Sequence, residues 1–240
     1  MRQMTRFIEK LGLVCAPDRP ARVADSPRAG RLARLVLLGL ALSLLALSGT
    51  NAQPTRPSPA EHAQRVAGFQ QNLNREFRDP RESPLPAAER GAFQGLPFYP
   101  VDYQYCVLAR LERDSTAQPF AMPTSTGRRP PYRKYGILRF TLAGQALALS
   151  VYESLDLAQK PGFADYLLVP FTDLSNGHGS YGGGRYLDLR QPPPGTQLLL
   201  LDFNQAYNPS CAYSPNYSCP IPPPENRLSV AVEAGVRSDH

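Results

Sequence analysis

The chain has 240 residues, 26 Lys and Arg against 20 Asp and Glu, and a formal net charge of +6. That length admits one or two domains, and 26 prolines with 18 glycines stay short of a disordered composition. Residues 1–52 hold eight of the basic residues and three of the acids, so the rest carries a net charge of +1, which argues against a nucleic-acid footprint on the folded part.

Arg31-Leu-Ala-Arg34 precedes an apolar run from Leu35 to Gly49. The run is short of the ~20 residues that a bilayer span needs and suits the core of a signal peptide. Thr50-Asn51-Ala52 supplies small residues at the expected cleavage site, after Ala52. Residues 1–52 are therefore read as a leader, and the protein as exported to the periplasm or beyond. Contact with a membrane is expected only through an uncleaved leader.

Residues 53–57 form a polar linker. Ser58-Pro59-Ala60-Glu61 starts a helix, with Ser as N-cap, Pro at the first position and Glu three residues on. The helix is expected over 58–79. Val66, Phe69, Leu73 and Phe77 recur at spacings of three and four, one apolar stripe that docks on the main domain. His62 lies off the stripe and reads as a solvated helix residue. Ala87 to Phe93 allows a helical turn.

The pattern then switches to period two. Tyr103 to Glu112 alternates as a half-buried strand, and Phe120 and Met122 begin a second. Leu138, Phe140 and Leu142 answer Leu147, Leu149 and Val151 across Ala143-Gly144-Gln145, a hairpin. Asp165 to Phe171 and Arg185 to Arg190 are further strands. Thr196 to Phe203 reads as the central strand and Arg227 to Ala234 as the last. The expected fold is mainly β, a single antiparallel sandwich or barrel with an N-terminal amphipathic helix. The β domain is placed at 80–236 and a tail at 237–240.

YRKYGILRFTL (132–142), VPFTDLSNG (169–177), YGGGRYLDL (181–189), the long segment DFNQAYNPSCAYSPNYSCPIPPPENRL (202–228) and Glu233-Ala-Gly235 occur in this order. Ser83-Pro-Leu85 precedes them. Together they resemble a bacterial family of unknown function, DUF1684. The resemblance implies one β-rich domain and no particular activity.

Candidate sites cluster in two places. Tyr181, Gly182, Gly183, Gly184 and Arg185 offer successive backbone N–H groups and a guanidinium to an anion, while the preferred reading of the glycines is a bulge that admits a close neighbour. Asp202 and Asn204 share one face at a strand end, with Tyr207, Asn208, Glu225 and Asn226 in the long loop beyond. Asp202 and Glu225 could act as paired carboxylates on a glycan; Asp202 and Asn204 are equally suited to binding loop backbone, and Glu225 to pairing with Arg227 or Arg185. The tyrosines of this region suit sugar or peptide binding and suit core packing as well. Cys211 and Cys219 are expected as a disulfide in an exported chain. Free thiols and a metal pair are the rival readings, the metal disfavoured because no His lies near. No cofactor motif is found, and hydrolase triads fail for want of a placed His. The leading expectation is an exported β-domain that binds a small ligand or envelope component without catalysis. An envelope hydrolase using Asp202 and Glu225, and a purely structural or interaction protein, stand as alternatives.

Overall fold

The computed structural model describes residues 54–238. The expected leader and its cleavage point lie outside the described residues. No helix among those described is long and apolar enough to cross a membrane.

Helix α1 spans Pro59–Arg78. Ser58 Oγ accepts the Glu61 N–H at 3.3 Å, and the Glu61 carboxylate accepts the Ser58 N–H at 2.8 Å. This reciprocal capping satisfies two of the donors that a helix start leaves open. Phe69, Leu73 and Phe77 are buried together with Val236, near the C-terminus. The stripe therefore docks the helix on the domain. A short helix α2, Ala87–Arg90, follows.

Seven strands form one curled antiparallel sheet, a half-barrel: β1 Cys106–Arg113, β2 Phe120–Ala121, β3 Pro131–Leu142, β4 Gln145–Ser154, β5 Tyr166–Phe171, β6 Arg185–Arg190 and β7 Leu198–Asp202. Their order is β6-β5-β4-β3-β1-β7, with β2 on β3. Between β4 and β5 lies the turn of helix α3, Leu155–Ala158. The β3–β4 hairpin closes at Ala143 and Gly144, with φ of +49° and +74°. Two positive φ values match the right-handed twist of the paired strands.

Period two sorts the side chains into two cores. Leu138, Phe140 and Leu142 join Val107, Leu111, Leu167, Val169 and Leu187 on one face. On the other face Tyr132, Tyr152, Tyr166, Leu168 and Tyr186 gather with Phe163 and Cys219. Strand β5 feeds both cores, which is why all six of its residues are buried.

Three sequence expectations need correction. Tyr103–Tyr105 is a 3₁₀ turn and not the start of β1. The Asp102 carboxylate accepts the Gln104 N–H at 2.8 Å and so favours the turn over extended backbone. The strand at 198–202 is terminal in the sheet, not central, and pairs with β1. Its leucine run imitates a strand buried on both faces, yet Leu198, Leu199 and Leu200 keep partial exposure.

Residues 227–234 form no strand, although their alternation is real. Leu228, Val230, Val232 and Ala234 are buried in the main core, and the residues between them are exposed. Side chains take much of the backbone pairing there. Val232 N–H donates to Asp173 Oδ1 at 3.0 Å. The Arg185 guanidinium donates to the Val232 carbonyl at 2.7 Å and to that of Ala234. Arg185 is fully buried and also meets Asp173 Oδ2 at 2.9 Å.

Replacing Arg185 with methionine keeps the bulk and leaves the Asp173 carboxylate buried without its partner. The expected loss is about 3–5 kcal/mol of unfolding free energy, read from urea melts. A loss under about 1 kcal/mol would show that the C-terminal segment is held by other means.

Candidate functional site

The segment after β7 folds back as a lid. Tyr207 and Tyr186 exchange backbone hydrogen bonds, N to O at 2.9 and 3.1 Å, which fixes the lid on the outer strand β6. Ser125 N–H donates to the Cys219 carbonyl at 2.9 Å, which fixes it on the loop after β2. Between these anchors the lid arches over the tyrosine face of the sheet and meets the C-terminal half of α1. A cavity of about 440 Å³ remains there.

Its lining comes from distant parts of the chain. Helix α1 gives Leu73, Glu76 and Phe77, and Glu82 follows from the turn after it. Strand β6 gives Tyr186 and Asp188, and the lid gives Tyr207, Asn208, Tyr217 and Cys219. The volume falls within the range of ~300–1,000 Å³ usual for small-molecule sites.

Asp188 is the chemically distinctive group. Both Tyr166 and Tyr207 donate their hydroxyls to its Oδ1, each at 2.7 Å. Burial pushes the carboxyl up to about 6, with the two tyrosines and nearby Arg190 pulling it back down. Burial and the neighbouring carboxylate push the Tyr166 and Tyr207 hydroxyls well up in turn. Close by, the Asn208 amide donates to Tyr213 Oη at 3.1 Å. Its Oδ1 is buried and has no donor among the described residues.

Of the ligand candidates read from the sequence, Tyr207 and Asn208 line this cavity. The others are engaged elsewhere. The glycine turn does meet the lid, since a Cβ on Gly184 would stand 2.7 Å from Pro222 Cγ. Gly182 and Gly183 are exposed. Arg185 points instead into the main core, on Asp173, and cannot clamp an anion beside Tyr181. Asn226 is wholly buried, binding the N–H and carbonyl of Ser150 and the carbonyl of Pro170. Glu225 accepts the Tyr152 hydroxyl at 2.7 Å.

Asp202 sits in a knot of its own. Its Oδ2 accepts His62 Nε2 at 3.0 Å, and its Oδ1 accepts the Asn204 backbone and side-chain N–H groups at 3.1 and 2.8 Å. Asn204 in turn exchanges two bonds with the Asp102 backbone, at 2.9 and 2.8 Å. His62 is 2% exposed, so the expectation of a solvated histidine is wrong. It lies one turn before Val66, extending the buried stripe, and the Asp202 carboxylate makes its burial tolerable. Cys106 completes a buried group with His62 and Asp202, their ligating atoms within 4.8 Å of one another. Burial and the Asp202 charge push the Cys106 thiol up to about 11, the state of an inert core cysteine. Asp202 and Glu225 do not line the cavity.

Cys211 and Cys219 lie side by side as thiols, with the Cys211 N–H 3.3 Å from Cys219 Sγ. The hydrogen bond from Cys219 holds the Cys211 thiol below its usual range, and pushes Cys219 up.

Sequence reading missed Asp188, Glu76, Glu82 and His62. Asp188 carried a signal: in Arg185–Arg190 it stands at period two from Tyr186, a lone carboxylate on an aromatic face.

The fold and cavity define a class, the lidded antiparallel half-barrel with a ligand-sized space under its lid. The family described as "Protein of unknown function (DUF1684)" matches residues 91–237, and the chain belongs to it. It is also similar to an uncharacterised protein of Haloarcula marismortui, solved by solution NMR. The two share 34% identity at a TM-score of 0.59, over 75% of this chain and 96% of that one. No curated protein matches the chain.

The raised Asp188 pKa sets a sign. Between about pH 4 and pH 6 the folded state holds a proton that the unfolded state has released, so this group's contribution to stability falls as pH rises. Asp188→Asn keeps an acceptor for both tyrosines and removes the ionisation. The melting temperature of the variant relative to the native protein is expected to climb from pH 4 to pH 7. A difference that stays flat over that range would mean that Asp188 titrates normally.

Proposed function

We propose that the protein is an exported β-domain that holds a small ligand, or a small piece of an envelope component, non-covalently under its lid and without catalysis. The observation that carries the reading is the cavity itself. It is walled by α1, β6 and the lid, has the volume of a small-molecule site, and combines apolar and aromatic walls with a few polar groups at Asp188 and Asn208. That mixture suits binding with a fixed orientation.

The side chains favour binding over turnover. Among the described residues the lining includes no histidine, and Cys219 in it has its thiol pushed up. Asp202 and Glu225 hold other parts of the fold together. Export is supported by the apolar run Leu35 to Gly49 and the small residues before Gln53. In an oxidising compartment Cys211 and Cys219 would join as a disulfide and tighten the lid, by about 2–3 kcal/mol on the chain-entropy account.

Native mass spectrometry of the protein isolated from its own envelope tests this reading. A small molecule bound one to one, lost from a Ser210→Trp variant that fills the cavity, is the expected result. The same spectra should show the mass deficit of a disulfide and a chain that begins at Gln53. An empty cavity in the isolated protein, with no change in melting temperature across a small-molecule library, would defeat the binding reading.

A further inference from the structure

We propose that Cys211 is a thiol–disulfide exchange site for low-molecular-weight disulfides and thiols, with Cys219 as the sulfur that completes each exchange inside the lid. The inference stands apart from the identity of any ligand in the cavity.

The lid holds the two sulfurs together with no bond between them. Cys219 is tied down by Ser125, whose N–H donates to its carbonyl at 2.9 Å and whose Oγ accepts its N–H at 3.1 Å. Thr124 and Pro220 pair beside it as an isolated bridge. Cys211 then donates its N–H to Cys219 Sγ at 3.3 Å. This end of the lid is therefore seated while both thiols are reduced.

Access separates the two sulfurs. Cys211 is half-buried, whereas Cys219 is 8% exposed. Contact with an outside disulfide thus falls to Cys211. Its sulfur has donors within reach: the Cys219 S–H first, then the hydroxyls of Ser125 and Tyr181. Against the opposing pull of burial they hold the Cys211 thiol down to about 6. The thiolate is the attacking form, and it prevails at neutral pH. Stabilising the reduced pair in this way also makes its disulfide easier to reduce. A disulfide that only braced the lid would gain nothing from donors aimed at a thiolate. Cys106, fully buried, is the inert contrast.

In the exchange the Cys211 thiolate attacks one sulfur of a disulfide R–S–S–R. A Cys211–S–R bond forms, the S–S bond breaks and one R–S⁻ leaves. Cys219 gives its proton to that thiolate and attacks the Cys211 sulfur. The second R–S⁻ leaves and takes a proton from water. The pair has lost two electrons and R–S–S–R has gained them. The new bond closes the loop that carries Asn216, Tyr217 and Ser218 of the cavity wall. Excess R–SH reverses every step.

The full chain with its thiols reduced tests this, with glutathione as the probe and peptide mass mapping to tell the 4 cysteines apart. Iodoacetamide is expected to modify Cys211 at least about tenfold faster than Cys106 at about pH 7, with a midpoint near pH 6. The titratable groups acting on the pair are Tyr132, Tyr181 and Tyr186, and Glu76, Glu82 and Arg128 share the cavity wall with Cys219. Tyr181→Phe removes one donor and should move the midpoint upward. Oxidised glutathione should leave a mixed disulfide on Cys211 in a Cys219→Ser variant and none on Cys219 in a Cys211→Ser variant, both checked as folded by circular dichroism. In the native protein it should give the Cys211–Cys219 bond, which an excess of reduced glutathione reopens. Cys211 no more reactive than Cys106 overturns the inference. So does a bond that persists in that excess, which would be a bracing disulfide, or a mixed disulfide on Cys219 in place of Cys211.

Discussion

The contact between His62 and Asp202 holds the two walls of the cavity in relation to each other. Asp202 ends β7 and starts the lid, and His62 lies in the first turns of α1. Their bond, at 3.0 Å between groups 2% and 7% exposed, spans 140 positions of sequence. Asn204 extends the tie to Asp102, just before β1. Helix, sheet and lid are thus set by a few buried polar groups that satisfy one another. Such a network is unforgiving: each member left alone would be a desolvated polar group. The apolar stripe supplies the helix's affinity for the domain, and the knot supplies its register.

A second polar clamp does the work of a missing strand. Residues 227–234 carry the alternation of a strand but lie where continuous ladder pairing is not made. Arg185 and Asp173 supply the missing partners, reaching the Val232 and Ala234 carbonyls and the Val232 N–H. Arg185 occupies a position on β6 where period two calls for an apolar side chain, in line with Leu187 and Leu189. The glycines before it let the chain come close to its neighbours at Phe171 and Pro222. The anion-site likeness of YGGGR is therefore a by-product of packing: glycines for close approach, arginine for the interior.

How much of this was legible follows from the range of the interactions. The capping box of α1, its stripe, the β3–β4 hairpin and the alternation of β6 are local, and sequence period states them directly. The edge position of β7 depends on which strand lies beside it. The absence of a strand at 227–234 depends on two side chains some 40–60 residues upstream. The burial of His62 was hidden because its partner is remote. The cavity was hidden most completely, for its lining is gathered from α1, β6 and the lid, which lie far apart in sequence. The lid was recognisable as a site by its length and composition, and Tyr207 and Asn208 from it do line the cavity. The strongest sequence motifs, by contrast, were the most structural ones.

That inversion has a physical basis in this fold. Arginine, aspartate and asparagine buried in a core must be fully partnered, so they demand specific neighbours and stand out as motifs. Asp202, Asn204 and Asn226 are of this kind, and Arg185 nearly so, with its Nε alone lacking a hydrogen-bond partner among the described residues. A binding cavity asks for the opposite, polar atoms held in place but not consumed. Asp188 meets that demand through geometry. Two tyrosines fix one carboxyl oxygen and leave the other, while burial keeps the group close to its protonation point. Asn208 lies in the same wall, its amide nitrogen held by Tyr213 and its oxygen buried without a donor among the described residues. On the proposed reading the cavity draws on Asp188, whose second carboxyl oxygen is left over, and not on the conspicuous motif residues that hold the fold.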